Sequence, residues 1–504
     1  MKPVRVRFAP SPTGALHIGG VRTALYNYLL ARQTGGTMIL RIEDTDQTRF
    51  VPGAEDYIIK SLEWAGIEID EGVGKNGPHA PYRQSERKAI YKQYADQLLA
   101  SGHAYYAFDT EEELEIMRKA SPTFLYGSTT RQSLKNSLTL PATEVTSRLQ
   151  AGHYVIRIKI PQGIDVKLND LIRGEVVVNS SQLDDKVLMK SDGMPTYHLA
   201  NVVDDYLMNI SHVIRGEEWL PSAPLHVLLY RFLGWEERMP QFAHLPLLLK
   251  PDGNGKLSKR DADRMGFPIF PLTWVDPKTK EVAKGFKESG YLPEALINFL
   301  AFLGWNPGTE QEIFSLKELI QAFSIERIGK AGTKFDIHKA QWFNQQYLKS
   351  KTNEELADLL FQRLEIEKIN CERSKAVKIA AALKERITYP DDLWVDGKFY
   401  FEAPIEYDQQ VIGKKWNAEA ITVLTAYAKE LNHSSITQAD QFKQSLESVT
   451  SSLGIGTGKV LQALRLAVTG QGSGPDLMLS MEIIGRIETA KRIQYAIDHI
   501  TVNA

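Results

Sequence analysis

The first residues whose types and spacing could do chemistry lie between Pro10 and Gly20, in the stretch PSPTGALHIGG. A proline-rich turn here separates a strand pattern from a helix pattern. The N-terminus of a helix has free amide donors and the positive end of a dipole, which together attract anions. His17 could donate to a phosphate oxygen as charge builds in a transition state, and Gly19 and Gly20 would let a base or phosphate approach the backbone. Alone, the pattern also suits a capped helix with a surface histidine.

The second group is KLSKR, from Lys256 to Arg260, directly after a glycine-rich stretch at 251–255. We expect 251–255 to be a mobile loop, because glycine restricts the backbone little. Three cations on a flexible tether could close over a triphosphate, and lysine acts well as a movable point charge. Alone, this pattern is most often that of a solvated basic turn.

The elements that must position these groups follow from hydrophobic periodicity. Residues 4–8 alternate as a strand does, a helical pattern begins at about Leu16, and a second strand begins at Met38 and runs on to Asp44. A strand, a helix and a strand at this spacing predict a βαβ unit with a parallel sheet. Further on, the patterns predict helices at 111–119, 196–205 and 222–233, and strands at 155–160, 175–179 and 213–215.

These patterns predict an α/β fold with a Rossmann-type doubly wound domain, an inserted α+β subdomain and an all-helical C-terminal region. The expected boundaries are 1–104 and 186–250 for the two halves of the doubly wound domain, 105–185 for the insert, 251–339 for a region with the KLSKR loop, and 340–504 for the helical region. Residues 267–280, rich in proline and aromatic side chains, look like a further local insertion of unassigned role.

Composition limits the class of protein without defining its chemistry. The 504 residues carry 60 basic and 62 acidic side chains, so no strongly charged tract announces a polymeric partner. One cysteine, Cys371, excludes an internal disulfide and any zinc site built on cysteine pairs. The first residues lack the apolar stretch of a signal peptide, and the most apolar segment, 295–305, is too short to cross a membrane. We therefore expect a soluble, cytoplasmic protein without membrane partners.

Both signatures, HIGG and KLSKR, occur in the order found in class I aminoacyl-tRNA synthetases, and the chain resembles the bacterial-type glutamyl-tRNA synthetase family over nearly its whole length. The stretches that carry the resemblance are RFAPSPTG at 7–14, RTALYNY at 22–28, RIEDTD at 41–46, PYRQSER at 81–87, YHLANVVDD at 197–205 and RGEEW at 215–219. In the last third, GK at 458–459, LRLAVTG at 464–470 and GPDL at 474–477 resemble the family's helical anticodon-binding domain.

The resemblance implies ATP-dependent ligation of L-glutamate to tRNA(Glu) through a glutamyl-adenylate, with release of AMP and pyrophosphate. Magnesium would bridge the triphosphate. Segments 105–185, 251–339 and 340–504 would bind the acceptor stem, contact the stem and bind the anticodon, and the family's usual form is a monomer. A relaxed ligase that also glutamylates tRNA(Gln) remains an alternative, and the anticodon-reading residues are not assigned. A catalytically idle tRNA-binding protein is disfavoured, because it would not need to keep His17, Lys256, Lys259 and Arg215 together.

The chemistry of glutamate agrees with the residues that match the family. The side-chain carboxylate needs a cation and the α-ammonium needs an anion, while bidentate pairing with arginine would reject glutamine. Arg7 and Arg215 lie near the carboxyl ends of predicted strands, where doubly wound sheets bind ligands. Tyr197 and Asn201, four residues apart, share a helix face.

By resemblance, Glu43 would bind the α-ammonium, and Arg7 with Arg215 the side-chain carboxylate. The implied catalytic residues are His17, Lys256 and Lys259. The implied glutamate-binding residues are Arg7, Ala9, Ser11, Glu43, Tyr197, Asn201 and Arg215. The implied ATP-binding residues are Pro10, Thr13, Gly14, His17, Gly19, Gly20, Glu218, Lys256, Ser258 and Lys259.

One departure from the family concerns zinc. Many members carry a cysteine and histidine cluster in the insert, whereas Tyr105–Asp109 here contains no cysteine. We therefore predict no structural zinc.

Overall fold

The computed structural model describes residues 3–75, 77–253 and 255–501. The chain forms two compact units, Met1–Ala340 and Gln341–Ala504. The loop expected to be mobile at 251–255 includes Asn254, which lies outside the described residues. Among the described residues, no helix is both long enough and apolar enough to cross a bilayer.

The first unit combines strands and helices. Its strands are β1 (Arg5–Phe8), β2 (Thr37–Leu40), β3 (Glu71–Gly72), β4 (Ala104–Ala107), β5 (Val155–Ile158), β6 (Asp165–Asp170), β7 (Gly174–Asn179), β8 (Val187–Met189), β9 (His212–Gly216), β10 (Gln241–Leu245), β11 (Leu248–Leu249), β12 (Trp274–Val275), β13 (Val282–Ala283) and β14 (Thr333–Lys334). Its helices are α1 (Ile18–Gln33), α2 (Ala54–Trp64), α3 (Lys88–Ala100), α4 (Glu111–Ala120), α5 (Ala142–Ala151), α6 (Tyr197–Leu207), α7 (Ala223–Phe232), α8 (Lys259–Met265), α9 (Pro293–Phe302) and α10 (Leu316–Ala322).

The predicted βαβ unit is present, with two boundary corrections. Helix α1 begins at Ile18, because His17 is its extended N-cap residue and not part of its first turn. Strand β2 ends at Leu40, whereas the sequence pattern carried it to Asp44. Beyond β2, Arg41 turns into a buried cluster of ion pairs, and Ile42 makes only an isolated bridge to Arg83.

The site depends on how two sheets meet. Strands β1, β2 and β3 form one parallel sheet, and a second sheet has the order β7-β6-β10-β9. Strand β9 runs beside β1, where the amide of Ser211 donates to the carbonyl of Arg5 at 2.9 Å. Strands β1 and β9 therefore lie side by side where the two halves of a doubly wound fold meet. Ligands of such folds bind at this switch point, outside the carboxyl ends of the strands.

The inserted region divides between two sheets. Strands β4, β5 and β8 form a separate antiparallel sheet, beside helices α4 and α5. The β6–β7 hairpin instead extends the main sheet, because Asp170 at the end of β6 pairs with Phe242 of β10. The insert therefore contributes two strands, β6 and β7, to the sheet that contains β9 and β10.

The segment at 267–280 belongs to a small hairpin. Strands β12 and β13 pair there through Trp274 with Ala283 and Val275 with Val282. The hairpin follows helix α8, which begins within KLSKR.

Helices build the second unit, as the sequence predicts. Helix α11 (Ile337–Ser350) runs across the division between the units, and those that follow are α12 (Asn353–Glu367), α13 (Arg373–Leu383), α14 (Asp392–Val395), α15 (Gln409–Lys415), α16 (Ala418–His433), α17 (Ala439–Ser452), α18 (Thr457–Thr469), α19 (Leu477–Ile484) and α20 (Arg486–His499). Trp416, Tyr427 and Phe442 are buried at the centre of this unit. The fold class predicted from the sequence is therefore confirmed.

Candidate active site

A cavity of about 470 Å³ opens at the carboxyl ends of β1 and β9. Thirteen of the residues expected to bind glutamate or ATP line it: Arg7, Ala9, Pro10, Ser11, His17, Gly19, Gly20, Glu43, Tyr197, Asn201, Arg215, Glu218 and Lys256. Four others are not brought to its wall: Thr13, Gly14, Ser258 and Lys259. Segments far apart in sequence therefore meet around one space.

Arg7 enters the cavity from β1 and is held from behind. The carboxylate of Asp205 accepts from its Nε at 3.0 Å and from its Nη2 at 3.3 Å. Asp205 also accepts from Arg41 Nη1 at 2.7 Å. No described residue accepts from Arg7 Nη1, so this nitrogen is available to an anion in the cavity.

Arg215 enters from β9 and is held on more than one side. Its Nε donates to His244 Nε2 at 3.0 Å, and its Nη1 donates to the hydroxyl of Tyr197 at 2.8 Å. The ring of Trp219 packs against that of Tyr197, with centroids 4.2 Å apart. These contacts fix the plane of the guanidinium beside the cavity.

Glu43 brings a negative charge to the cavity that Arg7 and Arg215 also line. Its Oε1 accepts from Arg41 Nη2 at 3.0 Å and from Asn201 Nδ2 at 3.3 Å. Burial raises the pKa of Glu43, and the positive charges of Arg41 and Arg7 act in the opposite direction. Cations and an anion thus lie together, as an amino acid with a carboxylate side chain requires.

His17 is poised as a neutral donor. Its Nδ1 accepts the amide of Gly19 at 3.0 Å, so the ring hydrogen lies on Nε2. That Nε2 is buried and has no hydrogen-bond partner among the described residues. Burial, followed by the charge of Lys256, lowers the pKa of His17 to about 4. The histidine is therefore uncharged near neutral pH and is not the surface residue of the simpler interpretation.

The expectation of free amides at the start of α1 is wrong. The amide of Ile18 donates to the carbonyl of Ile269 at 3.0 Å, and that of Gly20 donates to the carbonyl of His17 at 2.8 Å. The glycine at 20 is explained by packing, because a Cβ there would lie 2.5 Å from the side chain of Leu16. The protein therefore satisfies these donors itself, and the unpaired donor at this helix end is the His17 ring.

The two lysines of KLSKR lie in different surroundings. Lys256 lines the cavity and pairs with Glu218 at 2.8 Å. Burial acts to raise the pKa of Glu218, but the hydrogen bond from Lys256 acts in the opposite direction and the pKa is lowered. Lys259 is the first residue of α8, after the capping residue Ser258, and its Nζ lies 3.7 Å from the carboxylate of Glu281, the residue directly before strand β13. Lys259 would have to leave this exposed pair to reach a ligand in the cavity.

Sequence reasoning left several residues of the cavity wall unassigned. They are Phe8, Arg22, Thr23, Ile214, Gly216, Trp219, Pro246, Leu247, Leu248 and Leu257. Trp219 and Arg22 belong to stretches that carry the family resemblance, which was the available signal. Arg22 donates to the carbonyls of Leu303 and Pro246 and so holds the wall together. Nothing in the sequence marks His244.

Comparisons with known proteins agree with this geometry. Residues 3–342 match the family described as tRNA synthetases class I (E and Q), catalytic domain, and residues 348–497 match the family described as anticodon binding domain. The chain is therefore a class I tRNA synthetase. Within that class it belongs to the family that comprises the E and Q synthetases.

Relatives in sequence and in structure cover nearly the whole chain. A glutamate–tRNA ligase from Cytophaga hutchinsonii is 62% identical over 98% of this chain and 97% of its own length, and one from Amoebophilus asiaticus is 58% identical over 98% of each. A glutamate tRNA ligase from Elizabethkingia meningosepticum, solved in complex with its amino acid, is 48% identical, with a TM-score of 0.96 over 99% of this chain and all of that one. The glutamate–tRNA synthetase from Elizabethkingia anophelis is 50% identical with a TM-score of 0.92 over the same shares.

Proposed function

We propose that this cavity activates L-glutamate with ATP and passes the glutamyl group to tRNA(Glu). The chain is a glutamate–tRNA ligase, as its high identity to such enzymes over its full length supports. The observation that carries the site assignment is that Arg7, Arg215 and Glu43, which lie far apart in sequence, line the same cavity. A zwitterion with an extra carboxylate fits that charge pattern.

For glutamate, Arg7 and Arg215 bind the side-chain carboxylate and Glu43 binds the α-ammonium. Asp205 occupies the Nε side of Arg7, so Nη1 is the atom that meets the substrate. The hydroxyl of Tyr197 accepts from Arg215 and can therefore donate its own hydrogen to the same carboxylate. Glutamine would present its amide N–H groups to donors, which is why this site would reject it. Ala9, Ser11 and Asn201 complete the pocket.

Activation leaves the α-carboxylate free to attack the α-phosphorus of ATP. The new C–O–P linkage forms as the bond to pyrophosphate breaks, which gives glutamyl-adenylate. His17 donates its Nε2 hydrogen to a phosphate oxygen, and Lys256 and Lys259 stabilise the charge that accumulates on the phosphates. None of these groups forms a covalent bond with substrate, so the protein acts by position and charge. Pro10, Thr13, Gly14, Gly19, Gly20, Glu218 and Ser258 are the remaining proposed ATP contacts.

Magnesium is expected to enter with the triphosphate, as part of that substrate. Among the described residues, no group of three or more histidine, cysteine or acidic side chains is placed to hold a metal ion. The two carboxylates of the cavity wall, Glu43 and Glu218, are engaged by Arg41 and Lys256. The chain's own residues therefore do not fit a resident magnesium ion, and no step is derived through one.

In the second step, a ribose hydroxyl of the terminal adenosine of tRNA attacks the activated carbonyl, and AMP leaves. We assign acceptor-stem binding to 105–185, stem contact to 251–339 and anticodon binding to 340–504, in a monomeric, cytoplasmic enzyme. Matches to the catalytic and anticodon-binding families support this division.

The variant Arg215→Ala tests the site assignment. Its KM for glutamate in aminoacylation should rise about a hundredfold or more, because a buried, charged hydrogen-bond donor is removed, while KM for ATP stays within about threefold. Arg231→Ala is the matched control, since Arg231 is a half-buried arginine that pairs with the exposed Glu236. Equal losses for glutamate and ATP would make Arg215 a scaffold residue and overturn the assignment.

A further inference from the structure

Behind Arg215 lies a buried chain of hydrogen bonds that the proposed chemistry does not use. His244 Nε2 accepts from Arg215 Nε at 3.0 Å, and His244 Nδ1 lies 2.6 Å from Asp170 Oδ2. The side chains of Asp170 and His244 are both completely buried. Neither residue lines the cavity, so any effect on substrate must pass through Arg215.

The hydrogen-bond pattern assigns a single tautomer to His244. Arginine Nε can only donate, so His244 Nε2 must be free of hydrogen and act as the acceptor. Its ring hydrogen then lies on Nδ1 and is donated to the carboxylate of Asp170. Burial lowers the pKa of His244, the hydrogen bond to Asp170 acts to raise it, and the charge of Arg215 acts to lower it. The pKa therefore lies below its usual value, in agreement with a neutral ring.

The backbone fixes both members of this pair. His244 and Arg215 are direct partners in the parallel register of β10 and β9, so their side chains leave the sheet on the same face. Asp170 ends β6, and its oxygens accept the backbone amides of Ile172, Arg173 and His244 at 2.8 to 3.3 Å. Three backbone donors and a charged acceptor therefore hold the imidazole in one orientation.

We propose that Asp170 and His244 are positioning residues that set the orientation of Arg215 for the glutamate side chain. This inference rests on the proposed role of Arg215 in binding glutamate. The acceptor on His244 takes the Nε hydrogen and fixes the guanidinium plane, while Tyr197 takes a hydrogen of Nη1. Nη2 is left with one contact of 3.5 Å, to the carbonyl of Trp219, and is the nitrogen that this orientation presents to substrate. Asp170 acts one step further back, by selecting the tautomer that makes His244 an acceptor.

The substitution Asp170→Asn separates this role from packing, because it keeps the size and shape of the side chain. An amide oxygen can still accept the backbone amides of Ile172 and Arg173. The amide nitrogen would face His244 Nδ1 and favour the tautomer with the hydrogen on Nε2. Two donors, His244 Nε2 and Arg215 Nε, would then oppose each other, and the guanidinium would turn away.

The experiment measures aminoacylation of purified tRNA(Glu) by the full chain. For Asp170→Asn we expect KM for glutamate to rise about tenfold, while KM for ATP and kcat at saturating glutamate change by less than about twofold. Asp185→Asn is the matched control, because Asp185 is also a buried carboxylate but bonds Tyr105 and Arg131, away from the cavity. Asp185→Asn should lower thermal stability at least as much as Asp170→Asn does, without changing KM for glutamate.

A second pair of variants keeps the test decisive if Asp170→Asn folds poorly. His244→Gln retains a carbonyl oxygen that can accept from Arg215, whereas His244→Leu retains none. KM for glutamate should be closer to that of the original enzyme with Gln than with Leu. Equal effects of the two variants, or an unchanged KM in a folded Asp170→Asn protein, would overturn the positioning role.

Arg215→Ala separates this inference from the function on which it rests. If Arg215→Ala raises KM for glutamate, the double variant Asp170→Asn/Arg215→Ala should be no worse than Arg215→Ala alone. Additive losses would show that Asp170 acts elsewhere and would overturn the inference alone. An unchanged KM for glutamate in Arg215→Ala would instead refute the proposed site assignment.

Discussion

The amide of Ile18, the first residue of helix α1, donates a 3.0 Å hydrogen bond to the carbonyl of Ile269, more than 200 residues later in the chain. The next residue, Phe270, presents its ring edge-on to His17, with centroids 6.5 Å apart. The segment that follows KLSKR therefore supports the helix end that carries His17.

Replacing Phe270 with alanine should weaken use of ATP more than use of glutamate. The nearly buried ring supports His17, and its loss frees the imidazole. We expect kcat/KM for ATP to fall about tenfold. Phe267→Ala is the matched control, because Phe267 is equally buried but stacks on Phe335. Similar kinetic losses in both variants would mean a general loss of packing.

The protonation state of His17 gives a spectroscopic prediction. Burial and then the charge of Lys256 lower its pKa to about 4 from 6.5, so its ring should be neutral, with the hydrogen on Nε2, above about pH 5. The unfolded chain binds this proton more tightly than the folded chain, so His17 costs stability as pH falls from about 6.5 to about 4.

Lys256→Met should raise the pKa of His17, since the substitution removes the positive charge of Lys256. The pKa should still lie below 6.5, because the ring stays buried. Nitrogen NMR of histidine-labelled protein measures both states. A wild-type pKa near 6.5, or a decrease in the variant, would contradict the electrostatic explanation.

Substitution of Lys259 should slow adenylate formation and should change the affinity for tRNA little. Lys259→Ala removes a cation proposed to stabilise the phosphates, so the rate of adenylate formation should fall by about two orders of magnitude or more. Lys284→Ala, another lysine in the same segment, should change neither quantity. Pre-steady-state adenylate formation and filter binding of tRNA measure the two effects. Near-normal activation by Lys259→Ala would remove the residue from the mechanism.

The ion pair between Lys259 and Glu281 should restrain the lysine only weakly. The lysine is 39% and the glutamate 70% exposed, and pairs of this kind contribute little in water. Its weakness is consistent with a lysine that moves to the nucleotide.

Tyr197, which lines the cavity, and Tyr230, which is buried, form a matched pair for testing the glutamate pocket. Tyr197→Phe deletes the hydroxyl that accepts from Arg215 at 2.8 Å, so KM for glutamate should rise about tenfold. Tyr230→Phe deletes a buried hydroxyl that has no hydrogen-bond partner among the described residues, so it should leave kinetics unchanged and stability equal or higher. An unchanged KM in Tyr197→Phe would exclude its hydroxyl from binding.

Local patterns predicted much of this architecture. Alternation at β1 and the helical spacing of α1 revealed the βαβ unit. The assignment of Arg7 and Arg215 to a carboxylate ligand came from the family resemblance, with which their charges agree. The end of β2 was missed, because the partners of Arg41 are Asp204 and Asp205 on a distant helix, which periodicity does not reveal.

Long-range partners also explain what sequence could not show around the site. The sequence predicted a free amide at Ile18, but the carbonyl of Ile269 accepts a hydrogen bond from it. Because Ile269 is distant in sequence, local patterns did not reveal this acceptor. His244 carries no local signal, since its importance comes only from strand register opposite Arg215 and from Asp170 on an inserted hairpin. Such relationships exist only once the sheet has formed.

The most direct test of the central claim is aminoacylation of purified tRNA(Glu) and tRNA(Gln), with glutamate and glutamine offered in turn. We predict ATP-dependent attachment of glutamate to tRNA(Glu) and no attachment of glutamine to either tRNA. Glutamate on tRNA(Gln) as well would make the ligase non-discriminating. Failure to charge tRNA(Glu) with glutamate, or charging with glutamine, would contradict the assignment of this cavity to glutamate.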